Sequence, residues 1–265
     1  MTVRRTARGY PERVPAVAVH SFLGQAARPH YEAVAAALAE QLGIEAAPLR
    51  ETPLAELPSV AAGPAALLFV CGLPYVRLRD GGAAIEPLAA PVPAGEAGAV
   101  YRADLLVEPG SKVTAAEGLR GARVGFNGED SLSGWVMPRH ALRGLGIDPD
   151  GYVWVRTGSH RNSLRALQRG EIEAAPIDST LLALELRADP ELRSLTRIAR
   201  LGAMPSPPVA LVGGDAGLAR ALREALTGLG ESAAGRAALA LGALERFDAM
   251  TDDDYAPVRA ADATR

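Results

Sequence analysis

Cysteine is nearly absent from this sequence: Cys71 is the only one in 265 residues, so no intramolecular disulfide can form and a multi-thiolate metal centre is excluded. Lysine is as scarce. Lys112 stands alone among many arginines, a bias that goes with abundant Ala, Gly and Pro and reads as overall composition, not as arginine-specific chemistry. No run approaches the roughly 18 apolar residues of a membrane-crossing helix, so membrane insertion is not expected. Neither sign of charge gathers into long blocks, and the formal net charge is −3; a general nucleic-acid or anionic-membrane partner is therefore not expected. P-loop, nucleophile-elbow and zincin motifs are missing, and His20, His30, His140 and His160 lack metal-site spacing. No cofactor and no metal are expected. Between Met1 and Pro15 lie Arg4, Arg5, Arg8 and Arg13, but the apolar stretch 14–19 is too short for the core of a signal peptide. As written the chain reads as cytoplasmic, or as periplasmic or extracellular if an export signal has been trimmed.

What is there supports a sizeable core, since 48% of residues are hydrophobic and 22% charged. One large α/β domain or two lobes would both fit that length. Strands are expected over 14–21, 67–70, 85–89 and 100–107, with a helix over 29–42 stopped by Gly43. Gly72 and Pro74 predict a turn between Cys71 and Tyr75. Beyond Val107 the pattern becomes regular. Strands over 123–126, 152–157 and 173–177 alternate with helices over 133–143, 162–169 and 179–187, which implies a mostly parallel sheet covered by helices. Strand character resumes over 195–199 and 209–212, followed by a helix over 216–229. The closing segment reads as helical, then as a solvated, frayed acidic tail around Asp252-Asp253-Asp254. If the last third returns to the first lobe, residues 1–101 and 196–265 form one lobe and 102–195 the other, joined by a two-strand hinge.

Three strand ends carry the polar residues. The first, Gly125-Phe126-Asn127-Gly128-Glu129-Asp130-Ser131-Leu132-Ser133-Gly134, runs from a strand through a polar loop into a helix. Free N–H groups and the positive end of the helix dipole attract an anion there, Ser131 and Ser133 add hydroxyls, and Gly134 lets backbone approach closely. The second, Thr157-Gly158-Ser159-His160, offers a histidine that can donate to an anion or titrate near neutrality. The third ends at Asp178, which could accept from a ligand or cap the helix that begins at Ser179. Any one of them is explained by capping. Together they point to a convergent site beyond the carboxyl ends of the strands. Tyr75 could pack on a ligand while giving one hydrogen bond, or simply fill the core. Cys71 beside it has no evident base and reads as a structural thiol.

These pieces resemble the phosphate/phosphite/phosphonate-binding family of ABC-transporter solute receptors. The resemblance rests on Gly72-Leu73-Pro74-Tyr75, on Asp130-Ser131-Leu132-Ser133-Gly134 with Met137-Pro138 downstream, and on Gly158-Ser159-His160 with Ser163. Asp178-Ser179 and Ser206-Pro207-Pro208 complete the ordered set, which spans about residues 67–210. It implies an α/β, two-lobed, type II periplasmic-binding-protein fold with two mixed, mostly parallel sheets. It also implies capture of a small anionic or zwitterionic ligand, of the phosphonate, phosphate or carboxylate class, in an interlobe cleft that closes on it. The ligand contacts carried over are Tyr75, Ser131, Leu132, Ser133, Gly134, Ser159, His160 and Asp178, with Asp178 in the place of an acid that holds a ligand amine. Leu132 stands where the family usually has another hydroxyl, which removes one oxyanion donor. Without an export signal the chain looks like a cytosolic offshoot; if exported, an ABC permease would be its partner. The rival reading is a cytosolic enzyme on the same fold, acting on a small polar or carboxylate substrate with His160 and Asp178 as acid and base. A weaker one is a ligand-sensing partner of a regulator.

Overall fold

The computed structural model describes residues 17–44 and 47–264. The arginine-rich start and the first part of the strand expected over 14–21 lie outside the described residues. In chain order the first elements are β1 (Ala18–Ser21), α1 (Arg28–Leu42), β2 (Leu49–Glu51), α2 (Leu57–Ala61), β3 (Ala66–Phe69), α3 (Gly72–Asp80) and β4 (Ile85–Pro93). Then come β5 (Val100–Val107), β6 (Arg123–Phe126), α4 (Met137–Gly144), β7 (Val153–Arg156), α5 (His160–Gln168), β8 (Ala174–Asp178), α6 (Ser179–Ala188) and β9 (Thr196–Pro205). The last are β10 (Val209–Val212), α7 (Ala216–Thr227), α8 (Ala233–Leu241), β11 (Leu244–Ala249) and α9 (Ala256–Ala263).

The chain divides into two compact units, which makes this a two-lobed α/β fold. The first holds the described residues up to Cys71, Tyr75–Ala99 and Ser206–Asp254; the second holds Gly72–Pro74, Val100–Pro205 and the segment from Tyr255 onward. Sequence reasoning ends the second lobe at 195 and starts it at 102. The described bounds lie elsewhere because β9 pairs antiparallel along β5, from Val107↔Thr196 to Val100↔Pro205, and so belongs to the second unit's sheet.

The first unit is built on a six-stranded sheet of order β11-β4-β10-β3-β1-β2. β1 runs parallel to β2 and β3, whereas β10 is antiparallel to β3 and β4. Its core joins Val34 and Leu38 of α1 to Leu67 and Phe69 of β3 and to Leu222 and Leu226 of α7. The i, i+4 spacing of Val34 and Leu38 puts both on one face of α1, and Gly43, at φ 65°, ends that helix in a conformation that costs other residues a Cβ clash.

The second unit has a five-stranded sheet of order β7-β6-β8-β5-β9. β6 is parallel to β7 and β8, and β5 is antiparallel to both β8 and β9. Both sheets are thus mixed: β10 and β11 run against the other strands of the first, and β5 runs against those of the second. Leu106, Leu164, Leu167, Ile172, Ile177 and Leu182 form a core beneath α5 and α6.

Three expectations change. The Gly72–Tyr75 turn is the first turn of α3: Tyr75 N–H donates to the Cys71 carbonyl at 3.1 Å, and Pro74 sits where a missing N–H costs nothing. The helix expected over 133–143 begins as a π-turn over Leu132–Val136 and becomes α4 only at Met137. The supposed acidic tail is also structured. β11 pairs with β4, and Asp254 Oδ2 accepts from Thr251 N–H at 2.7 Å and from its hydroxyl at 2.8 Å.

Candidate functional site

β6 has β7 on one side and β8 on the other, all parallel, so their carboxyl ends open at one edge of the second unit's sheet. Each end meets a helix start that a side chain caps. Ser159 Oγ accepts from Asn162 N–H at 3.1 Å, and Asp178 Oδ1 accepts from Thr180 and Leu181 N–H at 2.8 and 3.0 Å. Ser131 Oγ accepts from Gly134 N–H at 3.0 Å. All three are therefore N-caps. A serine that accepts in this way still has its own hydrogen to donate, so capping and ligand contact are compatible for Ser131 and Ser159.

The π-turn is what aims Ser133. Val136 N–H reaches the Ser131 carbonyl five residues back at 3.2 Å, a wider turn than an α-helix makes. Gly134 is required inside it: a Cβ there would come within 1.7 Å of Asn127 Oδ1 and 2.7 Å of its Cγ. Asn127 Oδ1 is itself buried without a hydrogen-bond partner. Trp135, the next residue, lies 4.5 Å from Phe126 between ring centroids, and the Arg139 guanidinium lies over its ring, 4.4 Å from the centroid.

Ser133 is 3% exposed. Its Oγ lies 3.0 Å from His160 Nε2 and 3.4 Å from Asp178 Oδ2. Three residues from three strand ends thus share one hydroxyl. Burial drives His160 down to about 4 by penalising the imidazolium; the Pro176 carbonyl offsets part of this, at a geometry that leaves Nδ1 without a formed hydrogen bond. Burial pushes Asp178 up to about 6, against the pull of the Leu181 and Thr180 N–H groups and the Ser133 hydroxyl, while the Asp104 carboxylate adds to the rise. Thr157 holds the scaffold together: its hydroxyl donates to the Phe126 carbonyl at 2.9 Å and meets Ser163 Oγ at 2.6 Å, tying α5 to β6.

The remaining sequence candidates are placed differently. Leu132 is fully buried, with Cδ2 3.4 Å from where a Cβ on Gly72 would lie, so its side chain packs away from the polar cluster. Tyr75 belongs to the first unit and is fully buried there; its hydroxyl donates to Asp252 Oδ1 at 2.6 Å. Sequence reasoning missed Asn127, although its place between a strand and Gly128 was a signal. It also missed His20 and Thr52 at the ends of β1 and β2, where Nδ1 and Oγ1 are 2.8 Å apart. Burial and the Arg50 charge lower His20, against Glu56. Among the described residues no cluster of His, Cys, Asp or Glu is placed to hold a metal ion, and no helix is long and apolar enough to cross a membrane.

The model of the phosphonate ABC-transporter periplasmic substrate-binding proteins matches residues 17–255, nearly the whole described chain. The chain belongs to that family. No curated protein matches it. Among solved structures, PhnD1 from Prochlorococcus marinus, in complex with methylphosphonate, is 16% identical with a TM-score of 0.78, over 94% of this chain and 97% of that one. A binding component of an ABC phosphonate transporter from Pseudomonas aeruginosa is 18% identical, TM-score 0.79, over 94% and 86%. The aliphatic sulphonate binding protein SsuA from Escherichia coli is 14% identical, TM-score 0.59, over 94% and 87%. These likenesses establish the type II periplasmic-binding-protein fold for this family member.

Proposed function

We propose that the protein is a solute receptor that captures a phosphonate-class oxyanion at the ends of β6, β7 and β8. The observation that carries the reading is the Ser133 hydroxyl held between His160 Nε2 and Asp178 Oδ2 where those strands end. Ser131, Ser133 and Ser159 contribute hydroxyl hydrogens, Gly134 admits close approach of backbone, and neutral His160 supplies a directional ring nitrogen. Leu132 takes part through its backbone alone, and Tyr75, fully buried with its hydroxyl on Asp252 Oδ1, is no part of this reading. Membership of a periplasmic substrate-binding family supports delivery of the ligand to an ABC permease as the biological role. Phosphate and small carboxylates are the competing ligands.

The acid–base enzyme reading has less support. His160 and Asp178 are linked only through Ser133, and no carboxylate bonds His160 Nδ1 to orient the ring as a base requires.

A thermal-shift screen with phosphate, phosphite, phosphonates, carboxylates and amino acids tests the proposal. A native-state ligand at about a hundred times its Kd adds roughly 2.7 kcal/mol of stability and raises Tm accordingly. Replacing Ser133 with alanine should weaken the best hit by about 1.5–3 kcal/mol, the worth of a hydrogen bond to a charged group. An equal response from wild-type and Ser133→Ala proteins would remove the serine turn from the site.

A further inference from the structure

Two backbone bonds define the π-turn, from Val136 N–H to the Ser131 carbonyl and from Met137 N–H to the Leu132 carbonyl, each spanning five residues. Pro138, the residue after them, has no N–H to give to the Gly134 carbonyl four residues back. A π-turn holds one residue more than an α-turn, so tightening it would rotate its residues by about 100° against α4. Ser133 would then leave His160 Nε2 and Asp178 Oδ2. The other face of the turn is where it is held. Trp135 lies two positions from Ser133, and residues so spaced face opposite ways from a helical turn. While Ser133 points into the polar cluster, Trp135 packs on Phe126, the last residue of β6, at 4.5 Å between centroids. Trp154 of β7 meets both rings edge-on, 5.1 Å from Trp135 and 6.0 Å from Phe126, and its indole N–H donates to the Pro149 carbonyl at 2.8 Å. Arg139, four residues beyond Trp135 and so on the same helix face, lays its guanidinium 4.4 Å from the Trp135 centroid and 5.8 Å from that of Trp154. Only 11% of the Arg139 side chain is exposed, and Asp150 pairs with it.

We propose that Trp135 and Arg139 are positioning residues of the oxyanion site: their stack with Phe126 and Trp154 holds the π-turn in the register that aims Ser133 at His160 and Asp178. Neither residue touches the ligand. The inference rests on the oxyanion reading above. Without the stack, a share of the molecules takes the tighter turn, and apparent affinity falls with the fraction that keeps Ser133 aimed.

The experiment is calorimetric titration of the full chain with methylphosphonate and with phosphate, well below Tm, joined to far-UV circular dichroism. The chain's two tryptophans are the edge-on pair itself, so their exciton couplet reports the stack. Arg139→Ala is expected to weaken the tighter of the two ligands about three- to thirtyfold, the range that one cation–aromatic contact covers, and to lose most of the couplet. Arg139→Lys keeps the charge but not the planar face, and should recover part of both. Tyr152→Phe removes a buried hydrogen bond to the Ala116 carbonyl in the same unit; it should lower Tm and leave affinity and couplet unchanged. Unchanged affinity in Arg139→Ala overturns the inference and leaves the oxyanion reading standing. So does a loss of affinity with the couplet intact, which would assign Arg139 to the ligand's charge. An equal loss of affinity in Tyr152→Phe overturns it as well, by making the effect one of general destabilisation. If the wild-type protein binds neither methylphosphonate nor phosphate, the oxyanion reading falls and this inference with it. Should Arg139→Ala not fold, as the same spectra would show, Arg139→Lys against wild type carries the test through both readouts.

Discussion

His160 is 8% exposed and sits at about 4 instead of the ordinary histidine value of 6.5, because its charged form has lost water without gaining a carboxylate partner. The unfolded chain therefore binds a proton that the folded chain resists. The stability that neutral His160 contributes is whole above about pH 6.5 and is lost as pH falls toward 4. Asp178 works in the opposite sense: raised from 3.8 to about 6, it favours the folded state below its unfolded value and loses that contribution as pH rises through 6. The two offset each other in acid, so the histidine's share has to be read by difference. The Tm gap between wild-type and His160→Gln proteins should narrow steadily as pH is lowered from neutral toward 4.5, roughly the window of its shift. A gap that stays constant or widens would contradict the burial argument. None of this was visible from Gly-Ser-His in the sequence, which shows a histidine at a strand end but not whether water reaches it.

Helix α1 and the end of α8 are held together by an approach that only glycine permits. His30 Nδ1–H donates to the Ala238 carbonyl at 2.8 Å, and a Cβ on Gly242 would lie 2.6 Å from that nitrogen and 2.7–2.8 Å from neighbouring ring atoms. The ring is boxed in, stacking on Phe247 at 6.4 Å and tilted against Tyr31 at 5.0 Å. Gly242→Ala should therefore cost about 1–3 kcal/mol through overpacking, read as a lower urea midpoint at unchanged slope. α1 itself was legible, since its apolar spacing and its Gly43 stop are local. β11 was not. Its burial runs buried, exposed, exposed, buried, because the register with β4 shifts between Leu244 and Arg246, and that irregularity erases the alternation by which a strand is recognised. The π-turn at Leu132–Val136 escaped for a similar reason: its composition differs little from that of an α-helix start.

Residues far apart in sequence meet behind the serine turn. Within the second unit, a Cβ on Gly72 would lie 3.4 Å from Leu132 and 3.7 Å from the ring of Tyr255, which is fully buried. The C-terminal α9 thus buttresses the element that presents Ser133. Tyr255→Ala should destabilise the second unit by about 3–5 kcal/mol, the usual cost of emptying a large aromatic site. The chain's two tryptophans, Trp135 and Trp154, both belong to that unit, so their fluorescence reports its unfolding. A tryptophan transition unmoved by the substitution would show that the buttress carries no stability.

Sequence alone determined the α/β class, most strands and helices, and the three polar strand ends, because hydrophobic period, glycine stops and capping residues act over a few residues. It also carried the family resemblance. The pairing of β9 with β5, the docking of the chain end on the second unit and the burial of Leu132 depended on residues tens to hundreds of positions away. So did the meeting of Ser133, His160 and Asp178: each was recognisable as a polar strand end, but only packing brings the three within bonding distance and buries Ser133 and His160.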